Sequence, residues 1–87
     1  MHLSMSQDAD TYTTRDLPIA SALKASGANV VRVDRDPQGR GHFVFADKEK
    51  CGQIVLEYLN RELTLDAKAL FDAQRDLKTM LNVTGGQ

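Results

Sequence analysis

The spacing of apolar and polar residues changes along this chain of 87 residues. In "DLPIASALKASG" apolar side chains recur three and four apart, which is the period of a helix burying Leu17, Ala20 and Leu23, with Ile19 at the margin. Thr14 or Asp16 supplies its N-cap, Pro18 fits the first turn where a missing N–H costs little, and Gly27 stops it in the left-handed conformation. From Asn29 the period becomes two. Val31 and Val33, then Phe43 and Phe45 on a return strand, point one way, while Arg32, Asp34, Arg40 and His42 take the alternating positions. Between the runs, "RDPQGRG" holds a Pro and two Gly residues for reversal, so a hairpin is expected.

The helical period then returns. Asp47 can cap a second helix to about Arg61, with Cys51, Ile54, Val55, Tyr58 and Leu59 on one stripe and Glu57 placed four before Arg61. Thr64 or Asp66 can cap a third, to about Asn82, burying Leu70, Phe71, Leu77 and Met80 or Leu81. Residues 12–14 offer a brief edge strand. The expected fold is α+β: a small antiparallel hairpin, with that edge strand as a third, packed against three helices in the order (β)-α-β-β-α-α. Residues 1–11 read as a flexible leader, 12–82 as one domain and 83–87 as a flexible tail.

Composition narrows the function. A domain this small buries only about 60% of the surface of its unfolded chain, so partner surface can supply part of its stability. Eleven basic and twelve acidic side chains give a net charge of −1 and are spread along the chain, which argues against a strongly cationic nucleic-acid binder and a highly acidic DNA mimic. The single cysteine, Cys51, excludes an intrachain disulfide and a cysteine-rich zinc site. No secretory leader or membrane span is legible, and a cytoplasmic protein is expected.

"YTTRDLPIASALKASGANVVRVDRD", "GHFVFAD" and "LTLDAKALFDAQRDLKTML" together resemble a family of short bacterial and phage domains catalogued only as a domain of unknown function. The shared features are a Thr-x-Asp-Leu start (Thr14, Asp16, Leu17), an alanine-bearing helix ending at Gly27, a Phe-x-Phe strand (Phe43, Phe45) and a final helix with Phe71, Leu77 and Lys78. The resemblance covers about residues 12–81. It implies a stand-alone domain, often from phage or other mobile-element settings, and assigns no catalytic residue.

Candidate chemistry is sparse. Asp34, Asp36, Gln38 and Gly39 match the first positions of a calcium loop, but Phe45 stands where a bidentate Glu belongs, so a plain turn is the better reading. The terminal Gly85, Gly86 and Gln87 match a release-factor tripeptide but end the chain, and read as a mobile tail. Cys51 falls on the apolar stripe of the second helix, and the only histidines are His2 in the leader and His42 on the hairpin, so it reads as a buried, inert thiol. No His, Cys, Asp or Glu set has metal-ligand spacing, no phosphate loop is present, and neither an enzyme, a cofactor, a metal nor a small-molecule substrate is expected.

Two binding functions remain. Arg32, Arg40 and His42, with Arg35 at the turn, form a candidate cationic contact patch for nucleic acid or a protein partner, opposed by Asp34 and Asp36. The leading expectation is a non-enzymatic interaction module of a phage or mobile element, acting through a protein partner or as a homodimer, with Tyr12, Val30 and Val44 as apolar contributors. The alternative is a small nucleic-acid-binding domain using the basic face of the hairpin.

Overall fold

The computed structural model describes residues 10–85, so the candidate positions in the leader before them, His2 included, and Gly86 and Gln87 lie outside the described residues. The elements follow the expected order: β1 (Thr11–Thr14), α1 (Leu17–Ala25), β2 (Val30–Arg35), β3 (Gly41–Ala46), α2 (Lys48–Leu59) and α3 (Ala67–Gly85). The strands form one antiparallel sheet in the order β1-β3-β2, and the helices pack on one side of it.

Local chemistry sets the helix ends. Asp16, not Thr14, caps α1, its Oδ1 accepting the Ile19 N–H at 3.1 Å, while Thr14 Oγ1 accepts from the Asp16 N–H. Gly27, at a φ of 101°, closes the helix as the Ala28 N–H donates to the Leu23 carbonyl at 3.0 Å, the Schellman arrangement. Asp47 and Asp66 cap α2 and α3 through the N–H groups of Lys50 and Ala69. Helix α2 ends at Leu59, before the expected Arg61, which leaves the helix with a φ of 61° while the Glu62 N–H returns to the Glu57 carbonyl. Helix α3 runs to Gly85, past the expected end near Asn82.

The core gathers Ala20, Leu23, Ala28, Phe43, Phe45, Cys51, Ile54 and Leu77, with Tyr12, Leu17, Val30, Val33 and Leu81 packed around it. Central strand β3 is the most deeply buried, and Phe43 and Phe45 face the helices as expected.

Four positions expected on the apolar side are exposed instead, Leu59 among them at 63%. The β2–β3 register carries a bulge between Val30 and Arg32, so Val30 pairs with Phe45 and Val33 with Phe43, and the residue left over is Val31, 51% exposed. Tyr58 is 37% and Phe71 67% exposed; both line an open groove between helices, and Phe71 lies off the face of α3 that buries Ala73 and Leu77. The contact role expected for Tyr12, Val30 and Val44 meets the opposite difficulty: Tyr12 and Val30 pack on the core, and Val44, flanked by Thr13 and Arg32 on the neighbouring strands, is 1% exposed.

Candidate functional site

The hairpin turn is organised by one carboxylate. Asp36 Oδ1 accepts the backbone N–H groups of Gln38 at 3.0 Å and Arg40 at 2.9 Å, the pattern by which Asp stabilises a turn. Its Oδ2 accepts Arg40 Nε at 3.1 Å and lies 3.0 Å from His42 Nε2. The His42 hydrogen bond above all, then the Arg40 N–H, the Arg40 charge and the Gln38 N–H, hold the Asp36 carboxyl well below the usual carboxylate range against the opposing effect of its partial burial. Gly39 completes the reversal at a φ of 84°.

Each of the four expected contact residues therefore has an acceptor within the chain. Arg40 also reaches Gln38 Oε1, and Arg32 Nε forks onto both Asp34 oxygens at 3.0 and 3.1 Å. Arg35 departs most from expectation. Alternation along β2 turns it toward the helix side, where its Nη1 donates to the Gly39 carbonyl at 2.8 Å and its Nη2 to the Leu81 carbonyl at 2.7 Å. It ties the turn to the final helix, and a cation near the last carbonyls of a helix is favoured by the macrodipole. The structure brings Arg40 and His42 together on Asp36, keeps Arg32 on the same sheet face through Asp34, which lies opposite His42, and turns Arg35 to the other face.

A second feature was not legible as a site. Where α1, the end of α2 and the start of α3 converge, an open, mainly apolar groove of about 470 Å³ is lined by Ala22, Tyr58, Leu63, Leu65, Leu70 and Phe71, with Ser21, Arg61 and Gln74 among its polar residues. Ser21 is 2% exposed and its Oγ has no hydrogen-bond partner among the described residues. A buried hydroxyl left unpaired costs about 1–3 kcal/mol, and the Ser26 Oγ is buried without a partner in the same way. The sequence signal was the surplus of apolar residues in "LNRELTLDAKALF", more than a sheet of three short strands can cover.

Cys51 is fully buried, its Sγ near the Ala46 carbonyl at 3.4 Å, and burial, with the charge of Asp47, pushes its thiol up. Among the described residues no group of three or more His, Cys, Asp or Glu side chains is arranged to hold a metal ion, and no helix is long and apolar enough to cross a membrane.

A family model described as Domain of unknown function (DUF5659) matches residues 9–83. The chain belongs to that family. The DUF5659 match takes in every strand and nearly all of α3, so both the Asp36 turn and the groove fall inside it. No curated protein and no solved structure matches the chain.

Proposed function

We propose that this DUF5659 domain is a non-enzymatic interaction module that works through protein contacts, with the helix-side groove receiving apolar side chains of a protein segment. The carrying observation is the groove itself: two aromatic side chains, Tyr58 and Phe71, stand exposed around a concavity lined by Leu63, Leu65 and Leu70. Burial of aromatic rings in a desolvated pocket is what makes strong contact points in protein interfaces. The phage or mobile-element setting implied by the resemblance is part of the same proposal. Intrachain pairing weighs against the nucleic-acid alternative, because phosphate would have to compete with Asp34 for Arg32, with Asp36 for Arg40 and His42, and with the Gly39 and Leu81 carbonyls for Arg35.

The test is comparative co-purification from the native host. Tyr58→Ser with Phe71→Ser removes exposed rings, so folding is retained while a protein species bound to the wild type is lost; Arg32→Ala with Arg40→Ala retains that species. Binding lost in the arginine variant, with salt-sensitive nucleic acid as the bound material, would overturn the proposal.

A further inference from the structure

Strand β2 lies at a sheet edge, so one side of its backbone has no ladder partner among the described residues. The phase of the ladder is set at the turn, where the Asp36 N–H donates to the Arg40 carbonyl at 3.0 Å. Pairs alternate from there along the register, which turns the backbone groups of Asp34 toward β3 and those of Val33 toward the open edge. Apolar side chains collect beside this edge. Val31, 51% exposed, and Val83, 68% exposed, join Val30, Val33, Thr79 and Met80 around a cleft of about 290 Å³ between β2 and α3. The other edge, β1, has four residues, three of them threonine.

Resting on the protein-contact reading above, we infer that a second copy of this chain covers the β2 edge, the two β2 strands pairing antiparallel about a two-fold axis through Val33. Charge selects this register. Opposed residues in a continuous sheet lie on the same face, so a two-fold axis through Arg32 sets like cations against each other, and one through Asp34 sets like anions. With the axis at Val33, Arg32 of each copy lies opposite Asp34 of the other, and the two Val33 residues exchange both backbone hydrogen bonds. Arg32 and Asp34 are already adjacent at 3.0 Å and about half-exposed, at 47% and 50%, so the charges need only be shared across the seam. Both α3 helices then lie on the same face, and their Val83 and Met80 side chains flank the junction. The product is a six-stranded sheet in which the apolar edge is internal.

Light-scattering mass over a dilution series of the full chain reads this directly. The expected mass at high concentration is twice that of the 9.6 kDa chain, falling toward one chain on dilution. Val33→Pro deletes an N–H that the intrachain ladder does not use, and Asp34→Arg sets guanidinium groups against each other at two places; both are expected to be monomeric. The exchange Arg32→Asp with Asp34→Arg restores opposite charges across the seam and is expected to dimerise again, with circular dichroism confirming the fold of each variant. A wild type that is monomeric throughout, or a dimer that survives both single changes, overturns the inference. If such a surviving dimer is lost in Tyr58→Ser with Phe71→Ser, or if a monomeric wild type loses its co-purifying protein in that variant, only the edge inference fails. If neither mass nor co-purification responds to either surface, the protein-contact reading fails with it.

Discussion

Asp36 holds the hairpin turn by accepting from two backbone N–H groups and from Arg40, with His42 on the same oxygen as Arg40. Because its carboxyl is held well below the ordinary 3.8, the folded chain takes up this proton at lower pH than the unfolded chain does. The resulting stabilisation is complete above about pH 5 and is lost progressively as pH falls through the ordinary carboxylate range and below it. Denaturant titrations at a series of pH values should therefore show the gap between wild type and Asp36→Asn to be widest near neutrality and to close in acid; a constant gap would contradict the assignment. Ser21 gives the opposite sign. Ser21→Ala removes an unpaired buried hydroxyl from a helix and should raise stability by about 1 kcal/mol, read from the denaturation midpoint. The acidic opposition to the arginines was legible in the sequence, as was the burial of Cys51. That Asp36 would engage both Arg40 and His42 was not, because it depends on how the turn folds back.

Among the elements, caps and periods carried most of the information. Asp16, Asp47, Asp66 and Gly27 sit where a terminus requires them, and the helices and strands follow within a few residues. The sheet parity of "VVRV" was misread because adjacent valines leave two choices of inward residue, and a bulge without glycine lets Val30 and Val33 both point inward. The tether from Arg35 to Leu81 spans 46 positions and has no local signature. Arg35→Ala should release the end of α3, costing about 1 kcal/mol and raising amide exchange from the Leu81 turn onward while the strands stay protected. By contrast Leu77→Ala, at the fully buried centre of α3, should cost about 2–5 kcal/mol in global stability. Exposed pairs on the outer face of α3, such as Lys68 with Asp72 at 3.2 Å, contribute little by comparison.

At the scale of the whole molecule, three helices on one face of a three-stranded sheet leave two apolar surfaces uncovered, the groove around Phe71 and the β2 edge around Val31. The α+β class and element order were readable because each element carries its own period; these surfaces were not, because they arise where elements meet. Tyr58 and Phe71 fit their helical stripes, and only the assembled fold shows that both stand exposed around the groove. The measurement that tests the account most directly is site-specific photo-crosslinking in the native host, with the reactive group placed at Phe71 and, separately, at Gln38 on the hairpin turn. The account predicts a discrete protein adduct from position 71, abolished by Tyr58→Ala, and no nucleic-acid adduct from position 38. Nucleic acid captured at position 38, with no protein captured at 71, would contradict it.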